Sequence, residues 1–468
     1  MMTLQQAAQL ASGILTGGDG QARLARVVTD SRAVQPGDLF VALKGERFDA
    51  HDFVADVLAR GALAALVADD FVLENASLIR VDDTRLALGR LAAGWAALQP
   101  AVHIGITGSN GKTTVKEMVT AILKAHAGAA AVHATAGNFN NDIGLPLTLL
   151  GLTPAHRYAV LEMGMNHHGE LSYLTGLARP QVALVNNAMR AHFGHFADTA
   201  DVARAKAEIF QGLPQDGVAI VNADDANVAL FRAAAGSHRV CSFGLQQPAD
   251  IRARDISLQA LDSSFILCSP QGEQVISLPA PGEHNVRNAL AAAACALGAG
   301  IPVEAVVRGL ESFAPVNGRL QRKQAISGAL VIDDTYNANP DSVRAAIDVL
   351  AAIEGPRLLV LGDMGEVGDQ GPQFHAEIGA YARSRGIPLF FGLGELTKHA
   401  IDAYGDARQG VAQAIHFDDI AALNAAVAQA APQGATVLVK GSRFMKMERV
   451  VQHLVNVESN TQHQQETH

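Results

Sequence analysis

A glycine-rich stretch around residue 110 has the residue types of a phosphate-binding loop. It reads GSNGKTT at residues 108–114 and joins an apolar run, AVHIGITG, to a helical pattern, TTVKEMVTAILKAHA. Backbone N–H groups at a helix start bind phosphate oxygens, and the helix dipole adds to the attraction. Lys112 would neutralise the β- and γ-phosphates of a nucleotide, and the Thr113 hydroxyl would reach Mg²⁺. The sequence therefore predicts an ATP site. Its members are Gly108, Ser109, Asn110, Gly111, Lys112, Thr113 and Thr114.

This loop is shorter than the common pattern G-x-x-x-x-G-K-[ST], in which a glycine precedes the second glycine by five positions. Ile106 occupies that position here. An ordinary glycine-rich turn between a strand and a helix is the structural alternative. We favour the nucleotide site because Gly111, Lys112 and Thr113 each have a physical role in phosphate or metal binding.

Polar side chains that follow two further apolar runs would complete a metal site. Glu162 ends the run YAVLE, and we expect it to bind the metal of a nucleotide; a solvent-exposed acid is the alternative. The run VALVNNA leads to MRAHFGHF, in which His192 and His195 are three residues apart. Zinc would need a third ligand that the neighbouring sequence lacks, so a histidine close to a nucleotide is the favoured interpretation.

Two helical segments carry further polar candidates. GEHNVRNALAA, residues 282–292, places Asn285 and Asn288 on one helix face near its N-terminus. These amides would either read an adenine edge or cap the helix, and the pattern does not choose between the two. DVARAKAEIF, residues 201–210, carries Lys206 and Glu208. Its pattern alone indicates a solvent-exposed face.

The last third of the chain has its own polar clusters at the ends of apolar runs. DDTYNANPDS offers Asp333, Asp334, Asn337 and Asn339 beside a proline turn. VLVKGSR ends another run with Lys440, Ser442 and Arg443. A cationic cluster at the carboxyl end of a strand suits a carboxylate or a phosphate.

Alternating strands and helices must position these residues. YAVLEMG, VALVNNA and GVAIVNA are continuous apolar runs, as expected for a parallel sheet covered on both faces. Ligands of such sheets bind beyond the carboxyl ends of the strands, where the polar residues lie. ISLQALDSSFILCS and EQVISLPAPG alternate in character and predict an antiparallel extension. ALVIDD, RLLVLGD, PLFFGLG and ATVLVKGS predict another open parallel sheet.

The length of 468 residues predicts about three domains of the α/β class. We expect a smaller α/β N-terminal domain at 1–100. A central domain with a P-loop-type, mostly parallel sheet would follow at 101–316. A C-terminal Rossmann-like domain would occupy 317–457, ahead of a flexible tail at 458–468.

Charge and composition argue against several functional classes. The net charge is −10 with no long basic run, so a nucleic-acid partner is not expected. No stretch approaches the ~18 uncharged apolar residues of a membrane span, and MMTLQQAAQLASGIL lacks the features of a signal peptide. Three separated cysteines, Cys241, Cys268 and Cys295, predict reduced thiols. We therefore expect a cytoplasmic protein.

Taken together, these motifs resemble the Mur ligases, the ATP-dependent amide-forming enzymes of peptidoglycan synthesis. The resemblance covers nearly the whole chain. Its motifs are TDSR (29–32), GSNGKTT (108–114), NFNNDIGLPLTLL (138–150), VARAKAEIF, GEHNVRNALAA, GRL (318–320), DDTYNANPDS, LGDMGEVG and VKGSR. The segment TYNANPDS points to the family member that adds a dipeptide, and the D-N-P-R segment of the member that adds diaminopimelate is absent.

The resemblance implies a reaction and its participants. UDP-N-acetylmuramoyl-tripeptide and D-alanyl-D-alanine would be joined through an acyl phosphate, with ATP and Mg²⁺, by a monomeric enzyme. Metal ligands would be Thr113, Glu162, His192 and Lys206, with Lys206 carbamylated by CO₂. The catalytic residues would be Lys112, His192, Lys206 and Arg319. Asn285, Asn288, Arg319 and Asp334 would contact the nucleotide. Substrate contacts would come from Asp30, Ser31, Arg32, Asn140, Asn141, Asn337, Asn339, Lys440, Ser442 and Arg443.

One segment departs from the family pattern. The family histidine usually begins H-L-E-x-F-G, whereas this chain has HFGHFAD, so that Gly194 replaces the usual glutamate. The spacing from His192 to Lys206 is kept, which predicts that the metal ligands survive. Two alternatives stay open. One is a Mur-type ligase that adds a different amino acid or peptide to a UDP-muramoyl substrate, and the other is a non-enzymatic nucleotide-binding subunit.

Overall fold

The computed structural model describes residues 1–45, 48–190, 196–405 and 413–455. Its strands form three sheets, with helices between and around them. The strands are β1 (Ile14–Thr16), β2 (Val27–Val28), β3 (Leu39–Val41), β4 (Ala64–Ala68), β5 (Leu78–Val81), β6 (Val102–Thr107), β7 (Val132–Ala134), β8 (Tyr158–Glu162), β9 (Val182–Val185), β10 (Val218–Asn222), β11 (Arg239–Gly244), β12 (Ile251–Leu258), β13 (Ser263–Ser269), β14 (Gly272–Leu278), β15 (Gln321–Gln324), β16 (Leu330–Asp334), β17 (Arg357–Gly362), β18 (Leu389–Leu393), β19 (Gln413–Phe417) and β20 (Thr436–Lys440).

The helices connect successive strands, as expected for an α/β protein. They are α1 (Leu4–Leu10), α2 (Val54–Ala59), α3 (Thr84–Ala97), α4 (Lys112–Ala127), α5 (Gly144–Leu150), α6 (Glu170–Ala178), α7 (Thr199–Ala207), α8 (Val228–Ala234), α9 (Glu283–Gly298), α10 (Val303–Glu311), α11 (Pro340–Ala351), α12 (Gly371–Ser384), α13 (Thr397–Tyr404), α14 (Ile420–Ala430) and α15 (Glu448–Val455).

The first sheet has the order β1-β5-β4-β3-β2, in which only the β1–β5 pair is antiparallel. The second sheet has nine strands in the order β14-β13-β12-β11-β10-β9-β6-β8-β7. Strands β12, β13 and β14 pair antiparallel with one another, whereas the other pairs are parallel. The predicted antiparallel extension of a parallel sheet is therefore confirmed.

The third sheet has the order β15-β16-β20-β17-β18-β19, and only its edge pair β15–β16 is antiparallel. The predicted α/β class, with a mostly parallel central sheet and a second open sheet near the C-terminus, is confirmed. The domain bounds given above stay a prediction. Trp95 of α3 donates through its indole N–H to the Leu152 carbonyl at 2.9 Å, which ties the first sheet's helix to the central segment.

The continuous apolar runs of the central sheet arise because both of its faces are covered. Along β8, Val160 packs into one buried cluster, whereas Ala159 and Leu161 pack into the cluster on the other face. Successive strand residues point to opposite faces, so a strand covered on both sides must be apolar throughout. This leaves the strand ends as the place where polar side chains meet.

The thiols of the chain and the lengths of its helices test two expectations from the sequence. Cys241, Cys268 and Cys295 are free thiols, as predicted. Burial raises the pKa of Cys241 to about 11 and also raises that of Cys295, so neither is a reactive thiolate at neutral pH. Within the described ranges, none of the helices has the length and apolar character required to cross a bilayer.

Candidate active site

The loop between β6 and α4 is built around a glycine that no other residue can replace easily. Gly111 is the N-cap of α4 and has a left-handed backbone with φ of 80°. A Cβ atom there would lie 2.4 Å from Asn288 Oδ1 and 2.6 Å from Asn186 Nδ2. Lys112 begins the helix, and its Nζ donates to the Gly108 carbonyl at 2.7 Å. The loop therefore wraps closely around the lysine ammonium.

The residues after β9 hold this loop in place. The backbone N–H of Ser109 donates to the Asn187 carbonyl at 3.0 Å, and that of Asn110 donates to Asn187 Oδ1 at 2.8 Å. Ser109 Oγ accepts from the backbone N–H of Met189 at 2.9 Å. Polar groups at the carboxyl ends of β6 and β9 thus meet at one edge of the sheet, as expected for a parallel sheet.

A buried carboxylate faces the start of α4. Glu162 is 2% exposed, so the alternative interpretation as a solvent-exposed acid is wrong. The Thr113 hydroxyl donates to Glu162 Oε2 at 2.8 Å, and Asn140 Nδ2 donates to Oε1 at 2.8 Å. The Glu162 backbone N–H donates to the Thr135 hydroxyl at 3.0 Å, which fixes the end of the strand. Carboxylate, hydroxyl and amide oxygens are the donors that Mg²⁺ prefers.

Positive charge converges on the same place. Arg319 donates through Nη2 to Thr113 Oγ1 at 2.9 Å, and its guanidinium lies 4.2 Å from the centre of the Tyr336 ring. Burial lowers the pKa of Lys112, an effect opposed by the Glu162 charge and strengthened by Arg319. Two cations beside one carboxylate give the site a net positive charge, which favours the binding of an anion such as phosphate.

Lys206 is buried, which the helical pattern did not indicate. Its exposed fraction is 1%, and the neighbouring Val202, Ala203 and Ala205 of α7 pack into the core. The interpretation of this helix face as solvent-exposed is therefore wrong for Lys206. Burial moves its pKa well below the ordinary value, and the charge of Lys112 adds to the effect. A neutral amine is thereby favoured over an ammonium.

Glu208, the other candidate on that segment, has a structural role instead. Its carboxylate accepts from the backbone N–H groups of Gly169 and Ser172 at the start of α6, at 2.9 and 3.1 Å. Negative charge at a helix N-terminus is stabilising.

A chain of amides joins the phosphate loop to α9. Asn186 Nδ2 donates to the Asn110 carbonyl at 2.9 Å and to Asn288 Oδ1 at 3.1 Å. Asn288 Nδ2 donates to Asn285 Oδ1 at 3.3 Å, and Asn285 Nδ2 donates to the Pro281 carbonyl at 2.8 Å. The N-cap of α9 is Gly282, so the helix-capping interpretation of these asparagines is wrong. Their contact with adenine stays a prediction.

The predicted cationic cluster near the C-terminus is partly neutralised within the protein. Lys440 Nζ donates to Asp334 Oδ2 at 2.6 Å and to the Asn337 carbonyl at 2.9 Å. Burial raises the pKa of Asp334, although Lys440 opposes that shift. Ser442 is buried and donates to the Ala338 carbonyl at 3.1 Å. Arg443 is exposed and donates to Glu448 at 3.1 Å, so it is the more accessible of the two cations.

These elements enclose a cavity of about 1120 Å³. It receives side chains from the start of α3, such as Arg85, as well as from the central and C-terminal segments. The predicted site residues that line it are Ser109, Asn110, Gly111, Lys112, Thr114, Asn140, Asn141, Glu162, Asn285, Asn288, Arg319, Asp334, Asn337, Asn339, Lys440 and Arg443. Those outside its lining are Gly108, Thr113, Lys206, Ser442, Asp30, Ser31 and Arg32.

Asp30, Ser31 and Arg32, which are predicted to contact UDP, follow β2 of the first sheet and lie at the surface. Asp30 caps the short turn Ser31–Ala33 and pairs with Arg32, whose Nη2 lies 2.8 Å from Oδ2. The hydrogen bonds from the Arg32 side chain and backbone lower the pKa of Asp30 to about 2. Arg60 donates to the Ser31 carbonyl at 2.6 Å. Their contact with a nucleotide stays a prediction.

The predicted histidine ligands are not part of the structural description. His192, Gly194 and His195 lie outside the described residues. Within the described ranges, no group of three or more His, Cys, Asp or Glu side chains is arranged to hold a metal ion. Thr113 and Glu162 supply the oxygen ligands that the described residues bring together, and Asn140 Nδ2 orients the Glu162 carboxylate.

Sequence reasoning missed Arg190, which lies between two segments of the chain. It donates to Asp341 and Glu377, 151 and 187 positions further along. Its place directly after β9 could have drawn notice, because strand ends carry the functional residues of such sheets. Asn186 and Asn187 were also missed, because the sequence pattern shows them only as the end of an apolar run.

Models of three protein domains match this chain. The Mur ligase family, catalytic domain, matches residues 23–96; the Mur ligase middle domain matches 106–296; and the Mur ligase, glutamate ligase domain, matches 318–443.

Full-length relatives agree with these matches. The UDP-N-acetylmuramoyl-tripeptide–D-alanyl-D-alanine ligase of Escherichia coli is 44% identical over 97% of this chain and 98% of its own. A crystal structure of MurF from Acinetobacter baumannii is 39% identical, with a TM-score of 0.89 over 97% of this chain and 98% of that one. The MurF ligase of Thermotoga maritima in complex with ADP is 26% identical, with a TM-score of 0.80 over 92% and 97%.

Proposed function

We propose that this chain, which belongs to the Mur ligase family, couples ATP cleavage to the formation of one amide bond. The bond joins the terminal carboxylate of UDP-N-acetylmuramoyl-tripeptide to the amine of D-alanyl-D-alanine, a step in the synthesis of peptidoglycan precursors. The named activity of the E. coli relative, at 44% identity over nearly both full chains, supports this choice of substrates.

The hydrogen bond from Arg319 to Thr113 carries the proposal. It brings a guanidinium from the segment after α10 to the first turn of α4, beside Lys112 and Glu162. Two cations at the end of a phosphate loop are suited to a γ-phosphoryl group that is being transferred, because negative charge builds up on its oxygens. A site that only stored a nucleotide would have no need for this second cation. The ADP-bound relative supports the use of ATP.

The residues present fit a magnesium ion. Thr113 Oγ1 and the Glu162 carboxylate are adjacent oxygen donors, and Asn140 already orients the second carboxylate oxygen. When bound, Mg²⁺ would neutralise phosphate charge and orient the phosphoryl group. Lys112 and Arg319 would contribute positive charge to the same phosphate. His192 completes the proposed set of metal ligands.

Lys206 joins this set as a carbamate. CO₂ reacts with a neutral amine, and burial lowers the pKa of Lys206 well below its ordinary value, which favours that form. The carbamate would place a negative charge at this buried position and supply oxygen ligands close to Lys112. The burial of Lys206, which is 1% exposed, is costly for an ammonium and supports this assignment.

The reaction then proceeds in two balanced steps. An oxygen of the substrate carboxylate attacks the γ-phosphorus of ATP, the bond to the bridging oxygen breaks, and ADP leaves. The dipeptide amine then attacks the carbonyl carbon of the acyl phosphate. Phosphate leaves and takes with it the carboxylate oxygen that had attacked ATP, and the amine loses a proton. Lys112 and Arg319 stabilise the charge in the first step. Both reactants must be held within about 3–3.5 Å of their targets, which the shared cavity supports.

The remaining cavity residues divide between the two substrates. Lys440 ends β20 of the C-terminal sheet, and Ser442 and Arg443 follow it. Lys440 and Ser442 contact the carbonyls of Asn337 and Ala338, and we assign the dipeptide to this side. Arg443 is the exposed cation that suits its free carboxylate. Asn140 and Asn141 would contact the acyl chain, with the UDP group directed towards Asp30, Ser31 and Arg32.

An assay of phosphate release tests the proposal. Release should require UDP-N-acetylmuramoyl-tripeptide and D-alanyl-D-alanine together, in the presence of Mg²⁺ and bicarbonate. A panel of acceptor amines separates this function from a ligase of the same family with another acceptor. Turnover with a single amino acid but not with the dipeptide would favour that alternative. The absence of turnover with every acceptor in the panel would favour a non-enzymatic nucleotide-binding subunit.

The proposal includes a monomeric enzyme in the cytoplasm. Dependence on ATP and three free thiols support that compartment. Size-exclusion chromatography with light scattering tests the monomer: a mass of twice 49.0 kDa would contradict it.

A further inference from the structure

A cluster of charged groups outside the proposed chemistry joins the central and C-terminal segments. Arg190 follows β9, Asp341 lies in the first turn of α11, and Glu377 lies in α12. Arg190 Nε and Nη2 donate to Asp341 Oδ1 at 3.1 and 2.7 Å, and Nη1 donates to Glu377 Oε2 at 2.8 Å. The backbone N–H of Arg190 donates to Asp341 Oδ2 at 3.0 Å. We call these three residues the clasp.

The clasp is built more firmly than an ordinary surface ion pair. Its side chains are only 27%, 25% and 34% exposed for Arg190, Asp341 and Glu377. The guanidinium also lies 5.4 Å from the centre of the Phe374 ring. Isolated surface pairs contribute little, but three charge-assisted hydrogen bonds on one planar group, with a fourth from the Arg190 backbone N–H, fix both distance and direction. The clasp therefore sets how the two segments are oriented.

One side of the clasp is attached to the phosphate loop. Met189, the residue before Arg190, donates its backbone N–H to Ser109 Oγ at 2.9 Å. Asn187 binds the backbone of Asn110 at 2.8 Å. Arg190 is thus held by a short, hydrogen-bonded segment that borders the proposed nucleotide site.

The other side is attached to the segment assigned to the dipeptide. Asn339 is the N-cap of α11, and its side chain accepts from the Ser342 backbone N–H at 2.9 Å. The same side chain donates through Nδ2 to Asn110 Oδ1 at 2.7 Å. Asp341 lies two residues further on, so that the clasp and the amide contact hold the same helix start against the loop.

We propose that Arg190 is a positioning residue, which keeps residues 333–342 at the phosphate loop and thereby presents the acceptor amine to the activated carboxylate. This inference rests on the proposed ligase function. Without the clasp, residues 333–342 would lie at the phosphate loop in a smaller fraction of molecules. The apparent affinity for the dipeptide would fall in proportion to that fraction. Saturating dipeptide restores the arrangement. ADP would keep its contacts with the loop and α9 and would lose only that of Asp334 within this segment, so its Kd should change little.

Three variants of the full chain test this. Arg190→Met removes the charge, and Arg190→Lys keeps the charge without the planar fork. Arg254→Met is the matched control, because Arg254 also has two carboxylate partners, Glu273 and Asp255, but both lie within the central sheet. For Arg190→Met we expect a dipeptide KM about tenfold higher, with kcat and the Kd of ADP within about twofold of wild type. The dipeptide KM of Arg190→Lys should lie between those of wild type and Arg190→Met.

Small-angle X-ray scattering of the ligand-free proteins adds a readout independent of activity. Arg190→Met should have a larger radius of gyration than wild type, and Arg254→Met should not. Unchanged scattering or an unchanged dipeptide KM in Arg190→Met, or an equal KM rise in Arg254→Met, would overturn the proposal. A wild-type chain without ligase activity would instead remove the proposed function, and scattering alone would then decide whether the clasp holds the segments together.

Discussion

Arg319 donates a hydrogen bond to the Thr113 hydroxyl at 2.9 Å across 206 positions of the chain. Thr113 in turn donates to the buried carboxylate of Glu162. One threonine hydroxyl therefore links a cation of the C-terminal segment to the proposed metal ligand of the central one. This link makes phosphoryl transfer, rather than nucleotide binding alone, the chemistry that we expect of the site.

The first prediction concerns Arg319. Arg319→Met should lower kcat by about 10²–10³, as is typical when one preorganised donor to a developing anion is removed. Its effect on the Kd of ADP should be small, because ADP lacks the γ-phosphate. Arg322→Met, an exposed arginine of nearby β15, is the control and should retain wild-type kcat. Steady-state phosphate release measures both, and a wild-type kcat in Arg319→Met would contradict the role.

A second prediction follows from the burial of Lys206. Lys206→Ala should abolish ligase activity, and short carboxylates such as acetate should restore part of it by replacing the carbamate. Lys206→Met should be inactive yet no less stable in bicarbonate-free buffer, because burying a lysine amine costs free energy whether it stays charged or gives up its proton. Thermal unfolding under those conditions measures the stability. Wild-type activity in Lys206→Ala would exclude the carbamate.

Gly111 supports a third prediction, with Gly128 as its control. The two glycines cap opposite ends of α4, and both have a positive φ that favours glycine, 80° at Gly111 and 86° at Gly128. An added Cβ at Gly111 meets Asn288 and Asn186, whereas at Gly128 it meets no atom within 4 Å. Both alanine variants should lose about 1–3 kcal/mol of stability through backbone strain. Only Gly111→Ala should also lose ADP binding, measured by calorimetry, and equal ADP affinities would refute this account of the loop.

The fourth prediction is a pH dependence that arises from His284. Burial lowers its pKa to about 4, with the charges of Arg287 and Lys440 adding to the shift and Asp348 opposing it. Between pH 6.5 and 4 the unfolded chain binds the proton and the folded chain does not, so this group's contribution to stability falls as pH falls.

His284→Gln should remove that contribution. The drop in the urea midpoint between pH 7.5 and pH 5 should therefore be smaller in His284→Gln than in wild type. His453→Gln, an exposed histidine of α15, should behave as wild type. Equal drops in His284→Gln and wild type would show that His284 is not held neutral by the fold.

Much of the site followed from position relative to the strands. Glu162 and the loop at 108–114 lie at the carboxyl ends of parallel strands, and apolar runs locate such ends well. Lys206 did not follow from its own helix, because a periodic pattern treats every lysine as solvent-exposed. Only the family resemblance singled it out. Arg190 was missed because its partners, Asp341 and Glu377, come from other elements far along the chain.

The transfer of oxygen from substrate carboxylate to phosphate tests the central claim most directly. UDP-N-acetylmuramoyl-tripeptide labelled with ¹⁸O in its terminal carboxylate would be incubated with ATP, Mg²⁺ and D-alanyl-D-alanine, and the released phosphate analysed by mass spectrometry. An acyl phosphate requires that each phosphate released carry one ¹⁸O atom from the carboxylate. Amide product accompanied by unlabelled phosphate would contradict the mechanism.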